Sequence, residues 1–112
     1  MIKLYVGDMN AAKAFYGGAF GAKPALAIGD NANILTFPRG GPGLVLLKSN
    51  PGDEKFGAFI IRVPDLNKTK AWAVANGAKQ QGTFAGNPAG QVARSVDLLD
   101  PWGNQVEILQ IG

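Results

Sequence analysis

The sequence contains neither histidine nor cysteine in its 112 residues. Lack of cysteine excludes a disulfide framework and a thiolate nucleophile. Lack of histidine excludes the imidazole base, the His–Ser and Cys–His pairs and the common zinc clusters. Acid–base chemistry is left to carboxylates, tyrosine, lysine or the terminal amine. Long apolar runs are missing too, and the first residues, Met1-Ile2-Lys3-Leu4-Tyr5, alternate instead of forming an apolar block. No membrane association is expected, and the expected location is cytoplasmic. The charge of +3 comes without any basic cluster, since the 11 lysines and arginines are spread from Lys3 to Arg94. They mark a solubilising surface with no track for a nucleic-acid backbone.

What is present is enough apolar residue, 46%, to build the core of one domain. It is also written twice. Val6-Gly7-Asp8-Met9-Asn10 returns as Val63-Pro64-Asp65-Leu66-Asn67, Ala14-Phe15 as Ala71-Trp72, and Gly21-Ala22-Lys23 as Gly77-Ala78-Lys79. Before each motif a strand alternates: Ile2, Leu4 and Val6 point one way in the first copy, Phe59, Ile61 and Val63 in the second. Asp8 and Asp65 stand where a short carboxylate caps a helix N-terminus, and Gly21 and Gly77 where a glycine ends one. Ala12, Phe15, Tyr16 and Ala19 make the apolar stripe of the first helix. Strands are predicted near 25–28, 34–37 and 43–48, and again near 79–84, 92–99 and 105–109. The chain reads as one α+β domain over 1–112: a βαβββ module over about 1–48, a linker at 49–55, and a second module over about 56–112.

With the strand–Asp–helix start that runs to Phe15-Tyr16 and Gly21, and the terminal Asp100-Pro101-Trp102-Gly103-Asn104-Gln105-Val106-Glu107, the whole chain resembles the vicinal oxygen chelate superfamily. That group includes glyoxalase I, extradiol dioxygenases, fosfomycin-resistance enzymes and bleomycin-binding proteins. The resemblance implies two modules forming an open, curved mixed sheet of half-barrels, helices on the outer face, a concave cleft for a small molecule, and paired chains. It also implies four metal-ligand positions, normally His or Glu. Here they fall on Met1, on Ala58, on the apolar strand from Gly43 to Leu47 and on Glu107. One carboxylate is a poor cage for a divalent ion, so no metal and no other cofactor is expected.

Alternation gives the cleft side of each strand independently. Met1, Lys3 and Tyr5 oppose the helix-facing residues of the first strand, as Ala58, Ile60 and Arg62 do in the second module. Ser95, Asp97 and Leu99 share that side with Gln105, Glu107 and Leu109. A terminal hairpin symmetric about Trp102 sets Asp97 directly opposite Glu107, with Cβ atoms about 5 Å apart. Two carboxylates that close share a proton and raise one pKa, which makes Asp97 and Glu107 the candidate catalytic pair. The alternative for Asp97 is an ion pair with Arg62, Arg94 or Lys3, or a bulge that turns it to solvent.

Lys3, Tyr5, Arg62, Trp102 and Arg39 are the candidate ligand-binding residues. Tyr5 and Trp102 are suited to stacking on an aromatic ligand or to a core or interface role. Arg39, in its Gly/Pro-rich loop, is suited to an anionic group or to solvent. Gly17-Gly18 and Gly40-Gly41 lack a lysine at phosphate-loop spacing and read as turn or packing glycines. Two functions fit: a metal-independent homodimeric protein that sequesters a hydrophobic or aromatic compound, or a metal-independent isomerase or lyase that moves a proton next to a carbonyl.

Overall fold

In a computed structural model of the chain, residues 1–50, 52–86 and 90–112 are described. The elements run β1 (Ile2–Val6), α1 (Met9–Phe20), β2 (Lys23–Ile28), β3 (Ala32–Thr36), β4 (Leu44–Lys48), β5 (Ala58–Arg62), α2 (Leu66–Ala75), β6 (Lys79–Gly86), β7 (Ala93–Leu99) and β8 (Gln105–Ile111). Order within the sheets is β1-β4-β3-β2 and β5-β8-β7-β6, so each βαβββ unit makes its own open four-stranded mixed sheet. The chain divides into compact units at Ala58 and Phe59. Of the expected linker at 49–55, residue 51 lies outside the described residues. No helix among the described residues is long and apolar enough to cross a membrane.

The helices begin where the aspartates predict. Asp8 Oδ1 accepts from the Ala11 N–H at 2.9 Å, and Asp65 Oδ1 from the Lys68 N–H at 3.0 Å, satisfying first-turn donors that the helix cannot pair itself. Gln110 of β8 adds a further cap, its Oε1 accepting from the Leu66 N–H at 2.8 Å. At the other end Gly21 takes the left-handed conformation (φ 69°) that closes α1. The second helix departs from expectation. It is capped by Asn76, whose Nδ2 donates to the Trp72 carbonyl at 2.8 Å, and Gly77 (φ 107°) carries the turn one residue later.

In the first unit α1 lays Ala12, Phe15 and Tyr16 on Leu4, Val6, Leu35, Leu44 and Leu46, all buried. Phe15 meets Tyr16 edge-on with ring centroids 5.1 Å apart. Ala19, expected in the same stripe, is only half-buried. In the second unit Leu66 and Ala73 of α2 are buried together with Phe59, Val96, Leu98, Val106 and Ile108. Alternation therefore leaves the other face of each sheet uncovered by its own helix.

Candidate functional site

On the face opposite α2, side chains line up in cross-strand rows. Gly82 of β6 pairs with Asp97 of β7, and Asp97 with Glu107 of β8; the next row is Phe84, Ser95 and Leu109. The Val63 N–H donates to the Leu109 carbonyl at 2.7 Å, which in a parallel ladder sets Val63 beside Gln110. Ile2, which donates to Gly43, is likewise paired with Leu44. Ile60 then extends the Glu107 row, and Arg62 the Leu109 row.

The hairpin that fixes this register is held by a buried polar turn. Asp100 Oδ1 accepts from the backbone N–H groups of Trp102 (2.9 Å) and Asn104 (2.8 Å). Its Oδ2 accepts from Asn104 Nδ2 at 2.8 Å, and the Asp100 N–H donates to the Asn104 carbonyl at 2.8 Å. With Asp100 and Asn104 tied as a pair, the strands leave the turn without a bulge and Asp97 arrives opposite Glu107.

The two carboxyl groups stand side by side across the strands, with Ser95 one row away on the same face. Partial burial pushes the Glu107 carboxyl above the ordinary glutamate range, and the neighbouring Asp97 carboxyl pushes it further. Ser95, which stabilises the ionised form, works in the opposite direction. Arg62, an expected partner for Asp97, donates through Nη2 to the Ile111 carbonyl at 3.5 Å. Arg94, three positions from Asp97 along β7, faces the helix side with Val96 and Leu98.

The remaining candidates lie elsewhere. Lys3 and Tyr5 belong to β1 of the first unit, in the rows Lys3–Val45–Ile34–Leu26 and Tyr5–Leu47–Ala32–Ile28. Arg39 is exposed in the turn between β3 and β4, and Trp102 is half-buried in the turn between β7 and β8. Asp97 and Glu107 are thus brought into contact within the second unit, while Lys3, Tyr5 and Arg39 stand in the first. Two neighbours were missed as site residues. Ser95 was on the right face by alternation. Gly82 is brought opposite Asp97 by a bulge between Gln80 and Gly82, signalled only by a glycine inside a strand pattern.

Residues 1–108 match the Glyoxalase/Bleomycin resistance protein/Dioxygenase superfamily. The chain belongs to this superfamily. Among solved structures, a lactoylglutathione lyase from Agrobacterium tumefaciens is 26% identical, with a TM-score of 0.69 over 96% of this chain and 89% of that one. A glyoxalase/bleomycin resistance protein/dioxygenase family enzyme from Burkholderia phytofirmans PsJN is 18% identical, with a TM-score of 0.74 over 96% and 94%. A genomically encoded fosfomycin resistance protein from Listeria monocytogenes is 17% identical, with a TM-score of 0.74 over 96% and 85%. No curated protein matches the chain.

For a superfamily member the donor set is sparse. The residue of β4 that corresponds to Glu107 is Val45, and Met1 and Ala58 stand at the other implied ligand positions. Among the described residues no three His, Cys, Asp or Glu side chains come together as a group able to hold a metal ion. The side chains at these positions do not fit a four-donor metal site.

Proposed function

We propose that this superfamily member binds an apolar or aromatic small molecule on the sheet faces opposite its helices, without a divalent metal, and sequesters it. The observation that carries the reading is the apolar surface on those faces: Leu26, Ile28, Ile60 and Phe84 are each more than half exposed. Exposed apolar side chains grouped on one face mark a binding surface more often than scattered ones do. Binding of an anilinonaphthalene sulfonate probe to protein dialysed against EDTA tests it. Saturable binding unchanged by added Mn²⁺ or Zn²⁺ is expected; absence of binding, or binding only with metal, contradicts it.

A second reading is favoured by one observation, the direct cross-strand pairing of Asp97 with Glu107, whose pKa is raised. A carboxyl group whose pKa is raised is a stronger base than an ordinary one and is suited to accept and return a proton next to a carbonyl, as an isomerase or lyase requires. Incubation in D₂O with lactoylglutathione tests this. Deuterium uptake at the carbon beside the carbonyl, lost in Asp97→Asn, supports it, and no uptake in the wild-type protein leaves sequestration. A homodimer is also proposed, because Leu26, Ile28 and Phe84 are carried on the edge strands β2 and β6, where a partner would cover both apolar surface and unpaired backbone. Light scattering at micromolar concentration should give about twice the chain mass; a mass of 11.7 kDa contradicts it.

A further inference from the structure

Gly82 is a glycine that its backbone does not require. Its φ lies outside the positive region, and an added Cβ would meet nothing nearer than Asp97 Oδ2 at 4.0 Å, an ordinary contact. A strand interior is stabilised by a packed side chain and weakened by glycine, so the residue is not explained by local conformation. The first unit shows the alternative. Both edge strands bulge at the same place, between Pro24 and Leu26 in β2 and between Gln80 and Gly82 in β6. Just past the bulge Leu26 faces Ile34, whereas Gly82 faces Asp97. Where the neighbour is apolar the edge strand supplies a side chain; where it is a carboxylate it supplies none.

We propose that Gly82 is the specificity-determining residue of the site, leaving Asp97 open from the sheet edge so that the N–H-donating end of an otherwise apolar ligand reaches the carboxyl pair. The inference rests on the small-molecule-binding reading above. Two neighbouring carboxyl groups offer negative charge and accepting lone pairs, while Ile60, Phe84 and Leu109 around them are apolar. The matching ligand has an aromatic or aliphatic body and an amidine, amine or amide end; a carboxylate end is repelled. A larger side chain at position 82 would cover Asp97 Oδ2 without altering either acid.

Calorimetric titration with benzamidine, benzamide and benzoate, on the wild-type protein and on Gly82→Ala and Gly82→Leu, tests this, with the naphthalene sulfonate probe as a measure of apolar binding. The expected order is benzamidine, then benzamide, with no binding of benzoate. Gly82→Leu should weaken benzamidine by about 10-fold or more, as loss of a charge-assisted hydrogen bond does, with Gly82→Ala between. Equal affinity for benzamidine and benzoate, or no change in folded Gly82→Leu and Gly82→Ala, overturns the role of Gly82 while probe binding leaves the binding reading standing. Failure of the wild-type protein to bind the probe or any of the three compounds overturns both.

Discussion

The two units share one framework and differ in what they mount on it. Strand order, helix-capping aspartate and edge-strand bulge coincide, yet the row Lys3–Val45–Ile34–Leu26 of the first unit becomes Ile60–Glu107–Asp97–Gly82 in the second. The next row turns Tyr5, Ala32 and Ile28 into Arg62, Ser95 and Phe84. These changes fall on the face away from the helix, where a side chain can be exchanged without disturbing the core beneath the helix. Their means of stabilisation differ as well. In the first unit Tyr16 of α1 is fully buried between Phe15 and Phe20; the residue corresponding to Tyr16 in α2 is Ala73. The second unit instead has the Asp100–Asn104 lock, whose counterpart is the turn around Pro38 and Arg39.

That contrast breaks most readily at its two anchors. Tyr16→Ala should cost about 4 kcal/mol, because a large buried ring leaves a cavity that the surroundings only partly fill. Asp100→Ala should cost about 3 kcal/mol, since it strands the Trp102 and Asn104 donors inside the protein. Arg39→Ala, at the matching turn of the first unit, should stay within about 0.5 kcal/mol. Urea unfolding of the three variants checks the order. A large effect at Arg39 or a negligible one at Asp100 would erase the distinction.

A smaller effect sharpens what the units share. Gly21 and Gly77 both have positive φ, and a Cβ on either would come within 3.2 Å of a proline Cγ, that of Pro38 or Pro101. Substitution by alanine should cost each about 1–2 kcal/mol, through left-handed strain and crowding of the proline ring. Matching losses would show that helix end and turn are joined by the same device in both copies. Unequal losses would show that only one copy relies on it.

The smallest expected effect is a pH dependence confined to the second unit. Because the Glu107 carboxyl sits above its ordinary range in the folded protein, the folded state holds more proton than the unfolded one between the two values. Stability from this group is fully present below the ordinary glutamate pKa and is lost as pH rises through the raised value. Glu107→Gln should therefore match the wild type near pH 4 and exceed it slightly at pH 7, while Val45→Ala, at the matching position, should leave the pH profile unchanged. Thermal melts at the two pH values measure the difference.

Much of this was legible in the sequence because it is local or periodic. The 57-residue repeat of Val6-Gly7-Asp8 in Val63-Pro64-Asp65 revealed both units, and period-two alternation with the Asp100-to-Asn104 turn set Asp97 against Glu107. What escaped depends on backbone irregularity or distance. A glycine inside a strand pattern hints at a bulge but does not fix its register, so the approach of Gly82 to Asp97 is not legible from the sequence. Gln110 caps Leu66 from 44 positions away, beyond the reach of any local pattern. Gly77 suits a helix end by its type, but the Asn76 amide reaches back to Trp72 and the helix stops one residue earlier.

The carboxyl pair on which the account turns is tested most directly by carboxyl-carbon NMR titration of Glu107 in the wild-type protein and in Asp97→Asn. The wild-type Glu107 should titrate above the ordinary glutamate range, and removal of the Asp97 charge should bring it down. An ordinary Glu107 titration that does not move when Asp97 is replaced would contradict the pair, leaving two solvated acids on neighbouring strands.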